Sequence, residues 1–118
     1  MAVYTRQNLT EQGVSLTANA ATVTVGDSSD NSDGKLAWIV RNGSGAGITA
    51  SVAVVNAPSL SDPVFGTLTK GAIAFAVGAG ATAVIGPFPP AVFNDANFRV
   101  TLVCSSVTSV TVSPVKLP

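Results

Sequence analysis

The chain has 118 residues, with no histidine, one cysteine, and six cations balanced by six carboxylates. So few reactive groups leave little from which to build a general base, an activated nucleophile or a metal cluster, and the length fits one domain. The cations Arg6, Lys35, Arg41, Lys70, Arg99 and Lys116 are scattered, without the clustering that gives nucleic-acid binders their affinity. No apolar run reaches the ~18 residues that cross a bilayer, and Met1–Arg6 lacks the apolar stretch of a secretory leader. The expectation is a protein without enzymatic activity, cofactor, metal, nucleic acid or membrane.

Residues 1–19 carry Arg6, Gln7, Asn8, Glu11 and Gln12 with apolar residues only at intervals. They read as an arm with at most one helical turn ending near Gly13, loosely attached until it orders on a partner. Residues 20–118 then read as the β domain. Thr22-Val23-Thr24-Val25 alternates polar and apolar and stops at Gly26. Asp27 to Gly34 reads as a polar loop. In the next strand Leu36, Trp38 and Val40 share one face, which makes Trp38 a core residue. Asn42-Gly43-Ser44-Gly45-Ala46-Gly47 is a turn, and Ile48, Ala50, Val52 and Val54 line the strand beyond it, so residues 35–55 read as a hairpin.

Asn56 to Pro63 interrupts the pattern, since Pro58 and Pro63 donate no ladder hydrogen bond, and Thr67–Thr69 is a short strand. Ile73, Phe75 and Val77 alternate, Gly78-Ala79-Gly80 turns the chain, and Ala81–Ile85 runs back. Glycine and β-branched residues argue against a helix over Gly71–Ala83. Phe98, Val100, Leu102 and Cys104 mark an inward face, and Val110 and Val112 another. About eight short strands at this spacing predict an all-β fold, an antiparallel β-sandwich of jelly-roll type with an N-terminal arm.

The segment Asp27–Gly34 clusters oxygen ligands, but in a calcium-loop register the bidentate glutamate falls on Val40, so a solvated loop is the better reading. Asn8-Leu9-Thr10 and Asn42-Gly43-Ser44 are chance glycosylation triplets without a leader. The glycines at 43, 45 and 47 have neither the lysine nor the helix of a phosphate loop. Cys104, in an apolar run with no base nearby, is an inert buried thiol. Gly86-Pro87-Phe88-Pro89-Pro90-Ala91-Val92-Phe93-Asn94 is a stiff crossing between strands. Its apolar side chains either fold beneath it or face a neighbour.

The run Arg41–Thr49, the segment Gly86–Asn94, the polar start and the closing Val107-Thr108-Ser109-Val110-Thr111-Val112 together resemble small structural proteins of tailed bacteriophages. The resemblance implies a virion component made in the host cytoplasm, a decoration (cement) protein on the capsid surface bridging subunit seams. Its partners would be the major capsid protein and further copies of itself, a trimer ahead of a dimer. A neck or tail position, or a fibre-type module contacting virion proteins or host glycans, is the alternative. It transfers no catalytic residue. The candidate contact residues are Tyr4, Arg6 and Leu9 in the arm and Pro87, Phe88, Pro89, Pro90 and Phe93 in the proline segment.

Overall fold

The computed structural model describes residues 2–118 apart from Glu11, Val14, residues 22–25, Ala57, Pro58, Phe65 and Lys70, with the backbone alone of 59, 60, 62, 68 and 69. The strand expected at Thr22–Val25 lies outside the described residues. The strands are β1 (Ala2–Tyr4), β2 (Gln7–Asn8), β3 (Asn19–Ala20), β4 (Asp27–Asp30), β5 (Leu36–Asn42), β6 (Ile48–Val52), β7 (Ser59–Asp62), β8 (Gly66–Thr69), β9 (Ile73–Val77), β10 (Thr82–Ile85), β11 (Arg99–Cys104) and β12 (Val110–Lys116). One helical turn, α1 (Pro90–Phe93), precedes β11.

Two five-stranded sheets share one core. The first has the order β1-β4-β11-β6-β9; in the second, β10-β5-β12-β2 are joined by β3, which also pairs with β12. Val100, Leu102 and Cys104 enter the core from β11, Val52 and Ala50 from β6, and Trp38, Val40, Val110 and Val112 from the opposite sheet. The period-two alternation of β11 is visible in its burial, with Val100, Leu102 and Cys104 inside and Arg99, Thr101 and Val103 half-buried. Trp38 is fully buried, as its place beside Leu36 and Val40 predicts.

The sheets are mixed, which corrects the antiparallel expectation. β1 runs parallel to β4 and β2 parallel to β12, while the other pairings are antiparallel. The stretch expected to lie loose therefore adds short strands to both sheets. The chain leaves β1 in one sheet and enters β2 in the other within two residues. This crossing closes one flank, where the Tyr4 hydroxyl donates to the Ala20 carbonyl at 3.1 Å. A hydrogen-bonded turn links the Gly13 N–H to Thr10 at 3.1 Å.

Three local expectations are also corrected. Residues 35–55 do not form a hairpin, because β5 and β6 belong to opposite sheets. The turn after Asn42 carries the chain across the ~10 Å between sheets, so that each strand buries its apolar face against the other sheet. Asn42 holds that corner, its Nδ2 donating to the carbonyls of Ala46 at 2.7 Å and of Val77 and Gly78 at 3.2 Å. The interruption expected at Asn56–Pro63 contains β7, which pairs with β8 in a ribbon separate from both sheets. Pro63 follows the last β7 residue and so removes no ladder donor. The polar run Asp27–Asp30 is strand β4, inside the sheet between β1 and β11. Ser28 and Ser29 are fully buried there; neighbouring strands on both sides satisfy their backbone, and Ser29 Oγ donates to the Tyr4 carbonyl at 2.6 Å.

Candidate interaction surface

The strand directions bring the β4–β5 loop, the β10–β11 segment and the C-terminal end of β12 to the same end of the molecule. The crossing Gly86–Phe98 forms the surface of that end. Pro89 starts the helical turn, Pro90 sits at its first position, where a missing N–H costs nothing, and the N–H of Asn94 donates to the Pro90 carbonyl at 3.1 Å. Beneath the turn Phe88 and Phe93 meet edge to face, with ring centroids 5.5 Å apart and planes at 63°.

Asn31 and Asn94 fasten this crossing. Asn31 is fully buried; its Nδ2 donates to the Phe88 carbonyl at 3.0 Å and to Asn94 Oδ1 at 2.8 Å, and its Oδ1 accepts the Leu36 N–H at 3.2 Å. Asn94 Nδ2 returns to the Asn31 carbonyl at 3.0 Å. The Asn31 N–H donates to the Phe98 carbonyl at 2.8 Å. At the entry, Gly86 has φ +134°, and a Cβ there would stand 2.8 Å from the Leu36 carbonyl oxygen, so only glycine lets the chain pass this close to β5.

The candidate contact residues separate into two groups. Pro87, Pro89 and Pro90 are exposed. Phe88 and Phe93 are each 1% exposed and belong to the core, which corrects their assignment as contact side chains. Their rings gain more by turning inward than the neighbouring prolines would. In the N-terminal segment Tyr4 is half-buried against the core. The Leu9 N–H donates to the Lys116 carbonyl at 3.1 Å. Arg6, 13% exposed at its side chain, is held by Asp33 Oδ1 at 2.6 Å and Asp30 Oδ2 at 2.9 Å. Lys116 Nζ joins at 3.3 Å from Asp33. The Arg6 guanidinium holds the Asp33 carboxyl well below the usual carboxylate range. Asp30 and Asp33 are thus engaged with cations and with the N–H groups of Ser32 and Lys35.

Phe98 was missed by sequence reasoning, which placed it on the inward face of β11. It lies outside that strand, 62% exposed, at φ +59°. A bulky residue in the left-handed region costs ~1–2 kcal/mol, and asparagine or glycine would sit there more cheaply. The turn is made by Asp95, whose Oδ1 accepts from the N–H groups of Asn97 at 2.8 Å and Arg99 at 3.0 Å. The turn formers Asn94, Asp95 and Asn97 were the available signal. Pro87, Pro89, Pro90 and Phe98 are each exposed on a crossing whose backbone Asn31, Asn94 and Asp95 brace.

The buried Asp27 acts on half-buried Tyr4 and on buried Cys104. Burial and then the Asp27 charge push both the Tyr4 hydroxyl and the Cys104 thiol up from their usual values, so the thiol stays protonated and poorly nucleophilic at neutral pH. Among the described residues no helix is long and apolar enough to cross a membrane. Comparison with protein-family models, curated proteins and solved structures gave no match.

Proposed function

We propose that this chain is a non-catalytic structural protein of a tailed-bacteriophage virion, a decoration protein that binds the major capsid protein across subunit seams through the proline–phenylalanine end. The observation that carries this reading is Phe98, an aromatic side chain exposed on a strained, hydrogen-bonded turn of the same crossing that exposes three prolines. Strain kept at an exposed aromatic points to a contact anchor. Prolines supply apolar area with little flexibility to lose on binding. The partner is chosen on the resemblance of Arg41–Thr49 and Gly86–Asn94 to small structural proteins of tailed bacteriophages.

A jelly roll is the finer architecture we assign. Taking β4 to β11 as eight successive strands, the first, last, third and sixth lie side by side as β4-β11-β6-β9, and the second pairs with the seventh as β5-β10. Folding a long double-stranded ribbon over itself produces that order. The fourth and fifth strands form the separate β7–β8 ribbon.

The test is co-sedimentation of the purified chain with empty shells of its phage's major capsid protein. Saturable binding by wild type, with Phe98→Asn folded but bound at least about tenfold more weakly, supports the proposal; a lost hot-spot aromatic costs ~2 kcal/mol or more. Absence of binding, or equal binding by the variant, refutes it.

A further inference from the structure

Edge strands that do not pair are normally blunted by shortness, charge or proline. On the N-terminal flank the outer strands β1, β2 and β3 have three, two and two residues. On the opposite flank β9 has five and β10 four, and from Gly71 to Gly86 the chain contains no charged residue and no proline. Among the described residues β9 ends its sheet, with β6 on one side and no strand on the other. Ala74 and Ala76 are exposed. Phe75 pairs with the buried Ala50 and so points to the core side, yet it is 46% exposed at this sheet edge, where no described strand lies outside it.

The geometry points to β9 as a self-association edge: two copies of this chain pair antiparallel along it, about a two-fold axis through Phe75, joining two sheets into one of ten strands. The choice of occupant follows from charge and symmetry. An uncharged edge with an exposed aromatic needs an equally uncharged edge opposite it, and this chain supplies one. Rotation about Phe75 sets Ile73 opposite Val77 of the second copy, Ala74 opposite Ala76, and Phe75 opposite Phe75. The alanines admit close approach, and the two phenylalanines cover each other's exposed halves as a cross-strand aromatic pair. The contact is isologous and closes at two copies. It does not depend on the capsid reading, which uses a different surface.

The experiment is the solution mass of the full chain by sedimentation equilibrium, in the absence of capsid, for wild type and two double variants at the same positions. Ala74→Lys with Ala76→Lys sets like charges opposite each other in the proposed register; Ala74→Lys with Ala76→Glu sets opposite charges there. The proposal expects two chains for wild type, about tenfold or greater weakening in the Lys/Lys variant, and recovery in the Lys/Glu variant. A wild-type mass of one or three chains, a Lys/Lys variant as tight as wild type, or a Lys/Glu variant no better than Lys/Lys overturns it. If either double variant fails to fold, Phe75→Cys decides: oxidation gives a covalent dimer under this pairing, and a chain that stays single refutes it.

Discussion

Replacing Asn31 by alanine is expected to loosen the whole proline–phenylalanine end. The side chain makes three buried hydrogen bonds, two donated to Phe88 O and Asn94 Oδ1 and one accepted from the Leu36 N–H. Each contributes ~1 kcal/mol net, and leaving buried partners unsatisfied adds to that, so the loss is about 3–5 kcal/mol. Against a total of ~5–15 kcal/mol for a domain, this is a large fraction. At roughly 4 °C per kcal/mol for a chain of this size, Tm falls by about 12–20 °C. Asn31→Asp keeps the shape but turns a carboxylate oxygen toward two acceptor oxygens, and is expected to cost at least as much. Asn97→Ala, at an exposed position of the same end, serves as control and stays within ~0.5 kcal/mol. Urea and thermal unfolding followed by circular dichroism measure all three. A loss below ~1 kcal/mol for Asn31→Ala, or equal losses for Asn31→Ala and Asn97→Ala, would refute the claim that this network braces the surface.

Gly86→Ala is expected to destabilise by ~2 kcal/mol or more, combining strain at φ +134° with a clash against the Leu36 carbonyl. Gly45→Ala, with open space around it, is near neutral, and urea midpoints compare the two. Phe98→Asn is expected to leave stability unchanged or raise it by up to ~1 kcal/mol, because asparagine tolerates the left-handed region; thermal unfolding checks this. The Asp33 carboxylate is depressed below its ordinary value, chiefly by Arg6, so its contribution is fully present above about pH 4 and is lost as pH falls through the depressed value. Amide exchange over Thr5–Asn8 is therefore expected to accelerate between about pH 4 and pH 2 relative to its intrinsic rate, and Asp33→Asn is expected to remove most of that pH dependence.

Strands whose partners lie on one apolar face were legible in the sequence. Arg99–Cys104 alternates in sequence and in burial, and the apolar run Leu36-Ala37-Trp38-Ile39-Val40, bounded by Lys35 and Arg41, sits in the structure as a strand with Leu36, Trp38 and Val40 in the core. The pairing of those strands was not legible, because alternation fixes which face is buried and says nothing about which neighbour lies alongside. The turn after Asn42 has hairpin chemistry, yet it joins opposite sheets. Asp27–Asp30 escaped because its polar side chains read as a loop, and only the strands on both sides make it a buried β4. At the surface, the stiffness of Gly86–Asn94 was readable from its prolines. The inward turn of Phe88 and Phe93 was one of two open alternatives, decided by the space beneath the crossing. Phe98 was placed on the wrong face because the alternation of Val100, Leu102 and Cys104 was extended one step too far, into a turn ruled by Asp95.

Shell stabilisation is the most direct measure of whether the protein works through the surface it presents. Empty capsids are heated with and without saturating protein, and their disassembly is followed by light scattering. The account predicts a higher disassembly temperature with wild type and little or no increase with Phe98→Asn at equal concentration. Shells that disassemble at the same temperature with and without wild-type protein would contradict it.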